Sequence, residues 1–202
     1  MIEYSRSCYY YRRILEIETV ILMLRWVLIF ILVAMLTGCA AYQQVYVDAL
    51  AAQLPAASGG RTVHIPRIGV HAEVTTFPLG ATTWEISPWE RNAGQLAHLG
   101  WIDSPVNTVI AAHSEYPSGE AGIFSELDTL RAGDVVFVRD GDLQRAYIVH
   151  EIQLVDYQDL TPLYPTTDNR LTLITCSIPS YVAAQNLYYE RIIVVAYAIE
   201  NE

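Results

Sequence analysis

With 202 residues, 52% of them hydrophobic and only 17% charged, the chain is too apolar for intrinsic disorder and long enough for one domain plus a modest extra segment. Its formal net charge of −10, from 22 acidic and 12 basic residues, repels phosphate backbones and argues against nucleic-acid binding. All 12 basic residues are arginine, which removes lysine as a nucleophile, and the three cysteines (Cys8, Cys39 and Cys176) are too few for a disulfide scaffold.

Residues 1–19 carry Arg6, Arg12 and Arg13 against Glu3, Glu16 and Glu18, a cancellation that does not suit the positive leading region of a signal peptide. A start at Met23 gives Met-Leu-Arg and then an apolar run, so residues 1–22 read as an over-extended start and Cys8 is given no role. The run from Trp26 to Leu36 has 11 residues without a polar side chain, whereas a membrane-spanning helix takes about 20. It ends in Leu36-Thr37-Gly38-Cys39, which resembles a lipobox, the signal by which bacterial lipoproteins are acylated on cysteine and cleaved just before it. Two readings stand, lipidation at Cys39 and an uncleaved anchor. Both attach residues 1–41 to the cell membrane and put the remainder on its extracytoplasmic face. Residues 42–60 start with weak helical character and end in Pro55, Ser58, Gly59 and Gly60, a stalk and linker.

From residue 61 to residue 202 the texture is mainly β. Short runs rich in Val, Ile, Tyr and Thr fall at 62–65, 72–77, 108–112, 134–139, 145–154, 171–176 and 191–199. Asp140-Gly141-Asp142 marks a hairpin between two of them. Two short stretches, 88–97 and 123–130, read as helical. Seven or eight strands in about 140 residues, with one or two short helices, predict a closed or nearly closed β-barrel.

Three residues at strand edges carry chemistry. His113 follows the apolar run Val109-Ile-Ala-Ala112, Cys176 ends Leu171-Thr-Leu-Ile-Thr-Cys176, and Arg191 opens the last strand. A thiol requires a base or cation to become a thiolate, and an acyl-transfer oxyanion requires a donor, so Cys, His and Arg form a workable set. A lone cysteine is also commonly a small buried hydrophobe, and spacing by itself does not bring the three together.

Thr-Leu-Ile-Thr-Cys176, followed 15 residues later by Arg191-Ile-Ile-Val-Val-Ala196, resembles the signature of the sortases. The segment from Asn107 through His113 to Gly133-Asp134 is similar to the family's histidine region, and His64 to Val74 looks like the strand that opens its barrel. The resemblance covers residues 62–199 in order. It implies an eight-stranded barrel and a cysteine transpeptidase that cleaves a sorting signal of the Leu-Pro-x-Thr-Gly kind through a thioester, then passes the acyl group to an amine of the cell wall or of a pilin. By position, Cys176 would be the nucleophile, His113 the general acid and Arg191 the group that stabilises the oxyanion. Thr175 would line the substrate groove, Leu154, Leu160 and Leu163 would host an apolar substrate side chain, and Tyr181 with Tyr188 and Tyr189 would form another wall. The chain departs from many members in having Ala112 where they have Gly before the histidine.

No cofactor is expected. His64, His71, His98 and His150 show no metal-ligand spacing, and zinc is not supported. The acidic residues Glu115, Glu120, Glu126 and Asp128 leave calcium as a minor alternative, without the spacing of an EF-hand loop. Trp84, Trp89 and Trp101 read as packing residues. Nucleotide-binding glycine loops, the serine-hydrolase elbow and the papain-type cysteine element are absent from the sequence, and Ile-Thr-Cys176-Ser does not match an L,D-transpeptidase. The alternative to a transpeptidase is a non-enzymatic extracytoplasmic β-barrel lipoprotein that binds a ligand or partner.

Overall fold

The β-branched runs close on themselves. The computed structural model describes residues 25–26, 28–30, 32–33, 41–55, 59–81 and 83–199. Cys8, Met23 and the lipidation candidate Cys39 lie outside the described residues. The chain divides into two units, Met1–Ala49 and Leu50–Glu202. In the first, residues 25–26, 28–30, 32–33 and 41–49 are helical. Among the described residues no helix is long and apolar enough to cross a membrane.

The second unit is built from strands β1 (Arg61–Ile65), β2 (Val70–Phe77), β3 (Ala93–Leu96), β4 (Asn107–Ala111), β5 (Val135–Asp140), β6 (Leu143–Asp156), β7 (Arg170–Cys176), β8 (Tyr181–Val182), β9 (Leu187–Tyr188) and β10 (Glu190–Ala198). Eight of them form a closed barrel in the order β1-β2-β3-β4-β7-β10-β6-β5, with β5 pairing back to β1, while β8 and β9 make a separate small hairpin. The β2/β3 and β4/β7 contacts are parallel and the other barrel contacts antiparallel. Asp140 and Leu143 flank the expected two-residue turn, where Gly141 takes φ 57°, the left-handed region that a tight hairpin requires.

Alternation along each strand sorts side chains between two clusters. Val63, Ile65, Ile110, Leu171, Leu173, Val194 and Ala196 fill the barrel with Phe124 and Leu127. A second cluster of Phe77, Leu96, Val109, Ala111 and Leu163 forms around the same strands, with Trp84, Ile86 and Ile174 packed against it. β4 contributes Ile110 to the first cluster and Val109 and Ala111 to the second, so all five of its residues are buried.

The helical expectation at 88–97 does not hold, and that at 123–130 contracts to a single 3-10 turn. Residues 93–96 of the stretch 88–97 form β3, because Val74–Phe77 of β2 and Ile110–Ala111 of β4 supply backbone partners on both edges. Gly94 lies against the Phe77 ring, where an added Cβ would come within 2.5 Å of it, so its bare backbone permits that packing. The stretch 123–130 holds turns and one 3-10 turn, Leu127–Thr129, whose neighbour Phe124 is fully buried. Trp101 packs in the core as expected and donates its Nε1–H to Asp140 at 2.8 Å.

Candidate active site

The carboxyl ends of β4 and β7 leave the barrel side by side, because the two strands run parallel with Ala111 opposite Ile174. Ala112 continues that pairing, its N–H donating to Ile174 O at 3.2 Å. The next residue of each chain segment is therefore brought to the same edge: His113 after Ala112, and Cys176 after Thr175. β10 runs antiparallel to β7 and sets Arg191 directly opposite Cys176. His113, Cys176 and Arg191 all line one groove of about 300 Å³. Its remaining wall is mainly apolar and includes Trp84, Ile86, Leu160, Leu163 and Ile174.

Several polar groups in the groove are held. His113 Nε2 lies 2.9 Å from Ser87 O. Arg191 donates through Nη1 to Tyr188 O at 2.8 Å and to Glu190 O at 3.1 Å, and its guanidinium stands 6.0 Å from the Tyr157 ring. Burial pushes the Cys176 thiol above its ordinary value; the nearby Arg191 cation works against that shift and the Glu115 carboxylate adds to it. Asp159, also at the groove, accepts from the backbone N–H of Thr161 at 2.9 Å and from its hydroxyl at 2.7 Å, which keeps the carboxyl below its usual range.

The loop after His113 turns back on it. Gly122 N–H donates to Ser114 O at 2.9 Å and Phe124 N–H to His113 O at 3.0 Å. A Cβ at residue 122 would sit 2.1 Å from His113 O, so the closure requires glycine.

Among the other expected site residues, Leu160 and Leu163 line the groove. Thr175 borders it as well, yet the Thr175 hydroxyl donates to Ala112 O at 2.8 Å in a buried position, so it ties β7 to the residue before His113. Leu154 does not reach the groove. It is opposite Ile192, one step from the Arg191–Val155 pair, and strand alternation sends it to the other face, where it is 58% exposed. Tyr181 also belongs elsewhere, to a second cavity of about 620 Å³ that includes His113 together with Trp89, Glu115, Tyr116 and Tyr188. The tyrosine-rich segment between Cys176 and Arg191 folds as the β8/β9 hairpin and supplies part of that second wall.

Reading the sequence missed Trp84, Ile86 and Tyr157 in the groove and Trp89 in the second cavity, and considered Glu115 only for calcium, whereas Tyr188 lines a wall as expected. The signal available for Glu115 was its place two residues after His113. The acidic residues considered for calcium disperse: Glu115 accepts from the Tyr188 hydroxyl at 2.5 Å, Glu120 pairs with Arg91 at 2.7 Å, and Glu126 lines a cavity with His71. Among the described residues no group of three or more His, Cys, Asp or Glu is placed to hold a metal ion. His64 and His71 instead face each other across β1 and β2, with ring nitrogens 2.8 Å apart.

Residues 63–199 match a family model described as Sortase domain. No curated protein matches the sequence. Among solved structures, a sortase D5 transpeptidase of Clostridium perfringens is 23% identical, with 70% of this chain and 79% of that chain covered and a TM-score of 0.53. Sortase A of Listeria monocytogenes is 20% identical over 69% of this chain and 86% of that one, with a TM-score of 0.55. Sortase C-1 of Actinomyces oris is 20% identical over 70% and 74%, with a TM-score of 0.57.

Proposed function

The chain belongs to the sortase family of cysteine transpeptidases, and we propose that its chemistry runs through Cys176, His113 and Arg191. Sortases are membrane-associated extracytoplasmic enzymes that cleave a sorting signal through a thioester and transfer the acyl group to an amine. The observation that carries the residue assignment is the parallel β4/β7 pair beside the antiparallel β10, which supports a nucleophile, a proton carrier and a cation on one groove.

In this reading the Cys176 thiolate attacks the scissile carbonyl of a peptide of the Leu-Pro-x-Thr-Gly kind. The Arg191 guanidinium stabilises the oxyanion, and His113 gives its proton to the leaving amine as the C–N bond breaks. A thioester and a neutral His113 remain. The incoming acceptor ammonium releases one proton to water, and the resulting amine passes a second to His113 as its nitrogen bonds to the carbonyl and the C–S bond breaks. The thiolate and the protonated His113 are thereby restored. Trp84, Ile86, Leu160 and Leu163 give the donor peptide's apolar side chain a surface to bury. Burial of Cys176 disfavours the thiolate in the free enzyme, so the Arg191 charge is needed before as well as during attack.

Residues 1–41 would attach the enzyme to the membrane, through lipid on Cys39 or as an uncleaved helix, with 42–60 as the stalk and 61–202 as the catalytic domain. Secreted proteins with a sorting signal are the donors, and a cell-wall or pilin amine is the acceptor. The full-length protein in detergent, given a Leu-Pro-x-Thr-Gly peptide and an amine, should form a mass-detectable acyl adduct on Cys176 and then an amide product. Cys176→Ala should form neither. Wild-type cleavage by Cys176→Ala would overturn the assignment.

A further inference from the structure

The cavity shared by His113 and Glu115 is lined by aromatic rings and a single carboxylate. Trp89, Tyr116, Tyr181 and Tyr188 contribute aromatic surface to its walls. Glu115 supplies a carboxylate whose bond is to a neutral phenol, the Tyr188 hydroxyl. Among the described residues the ion pairs are Arg61–Asp140 and Arg91–Glu120, so Glu115 belongs to neither. Tyr116 already takes a cation: the Arg91 guanidinium lies 4.0 Å from its ring centroid, and Glu120 balances that charge. The cavity thus combines aromatic walls with one carboxylate that has no arginine partner among the described residues.

We propose that this second cavity binds the acceptor as an alkylammonium ion, with Glu115 as its counter-charge and the aromatic walls around the carbon stem that carries it. A lysine-type side chain meets both demands, since its stem is apolar and its head is cationic. The Tyr188 hydroxyl occupies one carboxylate oxygen, Oε1, and fixes the orientation of the other. His113 lines this cavity and the Cys176 groove alike, so an amine seated here is beside the group that must take its proton. The role in transfer rests on the sortase chemistry proposed above; the binding itself does not.

The test is calorimetric titration of the resting full-length protein in detergent at neutral pH with Nα-acetyl-lysine methylamide and with its uncharged analogue, Nα-acetyl-norleucine methylamide. The wild type should prefer the lysine derivative by about 10-fold, the range expected of one partly screened charge pair plus ring contact. Glu115→Gln should abolish most of that preference, and Glu115→Asp, which keeps the charge, should retain most of it. Equal affinities or no detectable binding of either compound by the wild type, or a preference that survives Glu115→Gln, overturns the proposal. The wild-type comparison requires no variant, so misfolding of a mutant does not obscure it. Absence of the lysine preference with Cys176 acylation intact defeats this inference alone. Absence of acylation with the preference intact defeats only the catalytic assignment.

Discussion

Around His113 two cavities use opposite chemistry. The smaller, of about 300 Å³, is walled by Trp84, Ile86, Leu160 and Leu163 and takes its positive charge from Arg191. The larger, of about 620 Å³, is walled by tyrosines and Trp89 and takes its negative charge from Glu115. The first suits an apolar peptide whose carbonyl becomes negative during attack; the second suits a cationic amine. In the proposed chemistry a two-step transfer is divided in space, with His113, the proposed proton carrier, lining both cavities. Substitutions in the walls of one cavity should therefore impair one step, whereas substitutions of His113, or of Arg191, which meets an oxyanion in both steps, should impair both.

The largest effects are expected at His113 and Arg191. His113→Ala should slow donor cleavage and transfer from the preformed thioester alike, each by about 10²- to 10⁴-fold. Arg191→Ala should cost about 10²- to 10³-fold, measured as the single-turnover rate of adduct formation. If His113→Ala slowed only one of the two steps, the shared-boundary picture would fail.

Gly122→Ala tests the boundary without touching any reactive group. The added carbon would meet His113 O at 2.1 Å and Ser114 C at 2.9 Å, so the loop must move. A displacement of about 1 Å at a catalytic group costs on the order of 10²-fold in rate. Both steps should fall together, while thermal unfolding still reports a cooperative barrel. A variant with unaltered rates would show that the Gly122 closure does not position His113.

Trp84→Ala acts on the groove alone. Removing a half-buried aromatic wall should raise KM for the donor peptide about 10-fold, with kcat and acceptor dependence changed far less, as expected of lost uniform binding. A fall in kcat without a rise in KM would move Trp84 from recognition to the chemical step.

These sites were unevenly legible in the sequence. β1, β2, β4, β5, β6, β7 and β10 coincide with runs of β-branched and aromatic residues, because those side chains suit a pleated surface. β3 (Ala-Gly-Gln-Leu) has no such run; its conformation comes from partners on both edges, which no local pattern encodes. Cys176 and Arg191 could be related through one motif, since adjacent strands carry them across a short hairpin. Their meeting with His113 depends on the parallel β4/β7 pairing, a long-range contact. Leu154 looked equivalent to Leu163 in composition, yet strand parity separates them: Leu154 shares the face of Ile192, while Leu163 sits in a 3-10 turn packed on the outer cluster. Glu115 stood out only as one of several acids; its distinction is that it is bonded to Tyr188 while Glu120 is neutralised by Arg91.

The smallest expected effect is electrostatic and links the two cavities through Cys176. Burial raises the thiol pKa most, Arg191 lowers it and Glu115 raises it. The two charges should therefore move the thiol in opposite directions when removed. Glu115→Gln deletes a negative neighbour, so the thiolate forms at lower pH and the rate of alkylation by iodoacetamide should reach its midpoint earlier on the pH axis. Arg191→Ala deletes a positive neighbour, so the midpoint should shift upward. The alkylation profile requires no substrate and reports the free enzyme, which isolates this coupling from any effect on binding. Shifts of the same sign in both variants would mean that the substitutions act by changing the burial of Cys176 and not by charge, and the division between a cationic groove and an anionic cavity would lose its electrostatic basis.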